Sequence, residues 1–111
     1  MLKRLLIVAG LALQGTATAE TSPTVEVHLP RVCLACIDWS EHLIRNGFTV
    51  KLKSTDDMAA VKRRLKVPAD LESVHTAQVG GYFIEGHVPA EDIKLLLEEK
   101  PKARGLAVPG L

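Results

Sequence analysis

The stretch that decides the fold runs from Thr24 to Gly47, TVEVHLPRVCLACIDWSEHLIRNG. Its period changes once, around Pro30. Before the proline, Val25, Val27 and Leu29 alternate with Glu26 and His28, the two-residue repeat of a half-buried strand whose His28 points outward. After it, Cys33, Cys36, Trp39 and Leu43 recur at helical spacing with Ile37 and Ile44 alongside, which is the stripe of an amphipathic helix. Asn46-Gly47 supplies the left-handed stop. A strand therefore feeds a helix that opens on Cys-x-x-Cys.

The flanking segments extend this pattern. Phe48 to Leu52 alternates again, and Ser54 with Asp57 matches a capping box ahead of a helix carrying Met58, Val61 and Leu65, which Pro68 ends. His75 to Val79 and Tyr82 to His87 are strand segments on either side of Gly80-Gly81, a pair free to take the positive φ of a tight hairpin. Pro89, Glu91 and Asp92 open a last helix with Ile93, Leu96 and Leu97 on its buried side, and Pro101 follows it. The tail to Leu111 has no regular period. The order predicts an α/β domain with a mixed four-stranded sheet, a βαβ unit plus a β-hairpin, and three helices: the element order of a thioredoxin-like core.

The chain of 111 residues has room for one domain. Lys3 and Arg4, an apolar run from Leu5 to Leu13 and the small-x-small site Ala17-Thr18-Ala19 read as a signal peptide over residues 1–19, leaving a single domain over residues 20–111 and a periplasmic destination. The apolar run falls short of the roughly 20 residues that cross a bilayer, so no stable membrane anchor is expected after cleavage. Without Lys3 and Arg4 the 14 basic residues fall to 12 against 13 acidic ones, a net charge of −1. Nucleic-acid binding, which needs a clear basic excess, is not expected. Lys62-Arg63-Arg64 with Lys66 is expected to be the solvated face of its helix.

Chemistry concentrates at Cys33 and Cys36. A bridge between them closes a loop too short to remove much unfolded-chain entropy, so a structural staple is a poor reason for the pair. The helix N-terminus favours a thiolate, more at Cys33 than at Cys36, and a thiolate either attacks disulfides or binds metal. The bland reading is a pair of small buried apolar residues. Met58 and Trp39 are most simply core, Arg31 an exposed loop residue, and His42 a surface residue.

The sequence resembles the CopG-like proteins of bacterial copper-resistance systems. The resemblance rests on Cys33 to Cys36 with Trp39, Glu41-His42-Leu43, Asn46-Gly47-Phe48, His75-Thr76-Ala77, Gly81-Tyr82, Ile84 to Ala90, and Arg104 to Gly110. It implies a thioredoxin-like fold, a metal-associated role in the periplasm, and a His75 that faces the dithiol. The family pattern carries Cys where this chain has Ala35 and Val74, and Met where it has Leu111, so a sulfur-rich copper site does not transfer whole. Cys33, Cys36 and His75 remain as metal ligands, with His87 a loop-shaping residue. Soft sulfur selects copper as Cu(I), with zinc as the other candidate, and other periplasmic copper-handling proteins are the expected partners. The rival reading is a thiol-disulfide oxidoreductase that uses Cys33 and Cys36 as catalytic residues. Both readings stand at this stage, and whether the chain is an enzyme stands open with them.

Export through the expected signal is checked by mass spectrometry of the secreted protein, which should begin at Glu20; recovery of a chain with Met1 intact from a membrane extract would contradict it.

Overall fold

The computed structural model describes residues 23–109, and the expected signal over residues 1–19 lies outside them. The chain runs through β1 (Val25–Leu29), α1 (Leu34–Arg45), β2 (Val50–Ser54), α2 (Met58–Arg64), a 3-10 turn (Ala69–Leu71), β3 (Thr76–Val79), β4 (Tyr82–Glu85), α3 (Ala90–Glu99) and β5 (Gly105–Ala107). The strands form one sheet in the order β2-β1-β3-β4-β5. α1 connects the parallel pair β1 and β2, and α3 connects the parallel pair β4 and β5. The β1–β3 and β3–β4 pairings are antiparallel.

The fifth strand corrects the four expected. It lies in the tail, whose three paired residues are too short for a sequence period. Phe83 N–H donates to the Arg104 carbonyl and Val108 N–H to the Glu85 carbonyl, both at 2.9 Å, so the tail is held by main-chain bonds rather than by apolar alternation. Gly105 permits this approach, because a Cβ there would collide with the Phe83 carbonyl oxygen. The hairpin turns at Gly80 and Gly81 as expected, with φ of 55° and 87°. Each flanking strand is one or more residues shorter than its sequence pattern: β3 begins at Thr76, and β4 stops at Glu85 where Gly86 takes positive φ.

One face of the sheet presents Val25, Val27, Ala77, Val79 and Ile84, packed against Trp39 and Leu43 of α1 and Ile93 and Leu96 of α3. Phe48 belongs to this core but precedes β2; its N–H donates to the Leu43 carbonyl at 3.0 Å, closing the end of α1. The N-terminal cap of α2 is Asp57 rather than Ser54: its carboxylate accepts from Ala60 N–H at 3.0 Å, and its own N–H donates to Thr55 Oγ1.

The opposite face overturns two further expectations. His28 is opposite Thr76 in the β1–β3 register and is buried, because β1 has a strand on either side of it and is covered on both faces. Lys62 is buried as well, 5 % exposed, and not on a solvated face. Its ammonium donates to Thr76 Oγ1 at 2.7 Å and to Glu85 Oε2. Thr76 Oγ1 donates to Glu85 Oε1, and Ser73 N–H donates to Glu85 Oε2, each at 2.7 Å. Both oxygens of this fully buried carboxylate are thus engaged, which is the condition under which a desolvated ion pair is tolerated.

Removing either partner leaves the other charge buried and unpaired. Lys62→Met or Glu85→Leu alone should cost about 3–5 kcal/mol in urea unfolding, while the double substitution should recover a large part of the loss. Equal and additive losses would contradict this account of the pair.

Candidate metal and redox centre at the start of the first helix

Pro30 ends β1, and the chain bends through Arg31 and Val32 into α1 with Cys33 as its cap residue. Cys33 has extended backbone angles, φ −153° and ψ 92°, and its Sγ accepts a hydrogen bond from Cys36 N–H at 3.1 Å. The sulfur therefore occupies the place of a capping oxygen, where orphan N–H groups favour negative charge. Cys33 and Cys36 are joined as a disulfide with a Cα–Cα distance of 5.3 Å. Cys36 is fully buried, whereas Cys33 is half-buried. An incoming atom consequently reaches the Cys33 sulfur first. Val32 and Leu34 on either side of it are 87 % and 80 % exposed, which surrounds that sulfur with apolar surface.

Arg31 does not serve the sulfur. Its guanidinium grips Asp56 through Nε to Oδ1 at 2.6 Å and Nη2 to Oδ2 at 3.0 Å. The pair raises the Arg31 pKa and holds the Asp56 carboxyl below its ordinary value, each through the hydrogen bond to the other. Both side chains are exposed, and the contact joins the β1–α1 bend to the β2–α2 connection.

His75 is fully buried and reaches α1 through an aromatic stack. Its ring lies 4.6 Å from the Trp39 ring at 22°, and 5.1 Å from the His87 ring at 23° on another side. Trp39, three residues beyond Cys36, is anchored in turn by its indole N–H donating to the Val88 carbonyl at 2.8 Å. Both ring nitrogens of His75 are buried without a hydrogen-bond partner. Burial, then the neighbouring His87, then Lys62 push its pKa down to about 4, so the imidazole is neutral at neutral pH.

His42 is not the surface residue expected: its Nε2 accepts from Ala90 N–H at 3.0 Å and so caps α3 from α1. His87 sits in the stack as well as in the loop before α3. The sequence singles out neither partnership, since a contact between residues 12 or more apart leaves no period; the one signal is that His42, His75 and His87 all fall within the stretches that carry the family resemblance.

The soft or neutral donors in this region are the sulfurs of Cys33 and Cys36 and, on the far side of the contact with Trp39, the two unpartnered nitrogens of His75. While the sulfurs are bonded to each other neither is a thiolate, and among the described residues no group of three or more His, Cys, Asp or Glu side chains is arranged to hold a metal. Reduction frees two soft sulfurs spaced across one turn, a set that suits low-coordinate Cu(I) and falls short of the four ligands of structural zinc.

The low pKa of His75 has a consequence for stability. The folded chain leaves this group unprotonated down to about 4, whereas an unfolded chain takes up the proton near 6.5. Stability present above pH 6.5 is therefore lost as pH falls toward 4. His75→Gln should flatten that part of the dependence by about 3 kcal/mol, read from urea midpoints at pH 7 and pH 4; an unaltered slope would contradict the assignment.

A model of the family described as "Protein of unknown function, DUF411" matches residues 71–111. No curated protein matches the chain. Among solved structures, copper resistance protein CopG in its form 2 is 47 % identical, with the match covering 80 % of this chain and 71 % of that one at a TM-score of 0.76. Form 1 of the same protein is likewise 47 % identical, over 81 % of this chain and 71 % of that one, at a TM-score of 0.75. A match covering 80 % of the chain extends well beyond residues 71–111. The chain belongs to the CopG-like copper-resistance family.

Proposed function

We propose that this protein is a periplasmic copper-binding protein that serves copper resistance or handling, taking Cu(I) through the reduced Cys33–Cys36 pair of a thioredoxin-like domain. One observation carries the reading: two sulfurs one helical turn apart, at a helix start that favours thiolates, in a chain 47 % identical to a copper resistance protein. Cu(I) is here cargo, and other copper-handling proteins of the same compartment are its source and destination. The strand–helix–strand unit, the hairpin and the place of the dithiol support the thioredoxin-like description.

In this mechanism the two thiolates bind the ion, the buried sulfur of Cys36 shielding one side and the half-buried Cys33 providing the route in. His75 is an optional third ligand. Its neutral imidazole and its two free nitrogens support that role, since a protonated ring has no lone pair to offer. The alternative of a stacked spacer that only fills the space beside Trp39 has the opposite requirement, because it needs no nitrogen at all.

A second reading has an observation of its own, the disulfide between the two cysteines with only one sulfur accessible. From the reduced pair, the Cys33 thiolate attacks a partner disulfide, whose far sulfur departs as a thiolate and takes a proton. The Cys36 thiolate then attacks Cys33 Sγ in the mixed disulfide, releasing the partner's other sulfur as a thiolate and leaving the partner reduced and this chain as the Cys33–Cys36 disulfide. Ala35, standing between the cysteines, leaves a plain Cys-x-x-Cys suited to this step.

Titration of the reduced protein with Cu(I) against a competing chelator separates these readings. One ion should bind, Cys33→Ser or Cys36→Ser should abolish tight binding, and His75→Ala should weaken it by about 10- to 100-fold if the ring ligates or supports the site. Binding that survives loss of both cysteines would defeat the proposal. Failure to compete for Cu(I), together with rapid reduction of a model disulfide, would establish the oxidoreductase instead.

A further inference from the structure

The sheet face opposite the dithiol helix carries a second feature. A cavity of about 310 Å³ lies between the end of α2 and the β4–β5 edge, with Arg64, Lys66 and Arg104 among its lining residues beside Gln78 and Tyr82. The three cations come from two segments some forty residues apart. Among the described residues no carboxylate lines the cavity. Among the described residues the ion pairs are Arg31–Asp56, Lys53–Glu26 and Lys62–Glu85, so none of these three cations is neutralised by a neighbour. Three cations lining one cavity give it a positive potential that favours an anionic ligand.

The backbone holds the cluster in place. α2 ends in a Schellman turn, with Lys66 N–H donating to the Arg63 carbonyl at 3.1 Å and Val67 N–H to the Lys62 carbonyl at 3.0 Å. The left-handed position of that turn suits glycine, yet Lys66 fills it with φ 62°. Among the described residues the other non-glycine residue with positive φ is Lys100, at the end of α3, and it does not line the cavity. Arg104 is fixed by its carbonyl, which accepts from Phe83 N–H, and by the close approach of Gly105 to β4. Arg64 makes its charge felt beyond the cavity: it is the second cause, after burial, of the lowered pKa of His28, against which the Gln78 amide works.

We infer that Arg64, Lys66 and Arg104 form a binding site for a dianionic phosphoryl group. Two guanidinium forks offer paired N–H donors to tetrahedral oxygens, and the ammonium adds a point charge, a set that exceeds what a single carboxylate requires. The phosphoryl group belongs either to a small soluble molecule or to a lipid headgroup. The site lies apart from the cysteines and does not depend on whether they bind copper.

The test is titration of the purified protein with inorganic phosphate at an ionic strength fixed by chloride, followed through the arginine Nε–H signals in NMR. The shifts should saturate with one midpoint, and Arg64→Ala or Arg104→Ala should each weaken binding about tenfold, while Arg64→Lys keeps part of it. Both arginines are exposed, and unchanged urea midpoints in these variants would show that the fold is intact. Shifts that never saturate, that chloride alone reproduces, or that persist in the Arg64→Ala/Arg104→Ala double variant would overturn the site. Sedimentation with phosphatidylcholine vesicles containing phosphatidic acid, lost in the double variant, would identify the headgroup as the source. Phosphate binding without such sedimentation would identify a soluble ligand.

Discussion

Lys62, buried against Glu85, is the interaction on which the placement of the site depends. The lysine stands on α2, the carboxylate on β4, the intervening hydroxyl on β3, and the peptide N–H of Ser73 on the segment that leads into β3. The network therefore ties a helix, two strands and a loop at one point within the low-dielectric interior, where a group without its partner is costly. His75 lies between Ser73 and Thr76, both held by the same carboxylate. With its backbone clamped at either end, its ring has little freedom, and it packs into the stack with Trp39 and His87. A core of aliphatic side chains would supply comparable burial but would not fix this segment to within a hydrogen bond.

From there the constraint passes to the dithiol. Trp39 joins the His75 stack on one side and belongs on the other to the helix that begins at Cys33, while its indole N–H holds the Val88 carbonyl ahead of α3. His42, one turn further along α1, caps α3. α1 is thereby fixed through its middle, leaving its first turn to carry the cysteine pair, with Cys36 buried and Cys33 half-buried. Such asymmetry suits metal capture and disulfide exchange alike, because each begins at an accessible sulfur and ends with a protected one. What distinguishes the two functions is the state of a single covalent bond. A disulfide offers no thiolate to copper, and a copper-bound pair offers no bond to a thiol.

The two faces of the sheet differ in chemistry for the same reason that the strands alternate. Residues directly opposite in the register, His28 with Thr76 and Thr76 with Glu85, share one face and gather its polar groups, while Val27, Ala77 and Ile84 share the other. Helices α1 and α3 cover the aliphatic face, and α2 covers the polar one. The arginines beside the β4–β5 edge extend that polar face to the surface.

Much of this was legible in the residues alone. The change of period at Pro30, the glycine pair of the hairpin and the stripes of α1 and α3 are local signals, since each arises from contacts within a few residues. They determined three helices, a βαβ unit, a hairpin, and a dithiol at a helix start. The tertiary structure decided the rest. Lys62 and His28 read as solvent-facing, yet both are buried, because partners from β3, β4 and α2 surround them and no local pattern announces a distant partner. The fifth strand came from main-chain bonds to β4 over three residues, too few to show a period, and Gly105 matters there only because Phe83 lies against it. His75 acquired its neutral, unpartnered ring from Trp39 and His87, residues 36 and 12 positions away. Residue identity placed the sulfurs at the head of a helix; burial and long-range contact set the environment of the imidazole, because desolvation and charge act through space rather than along the chain.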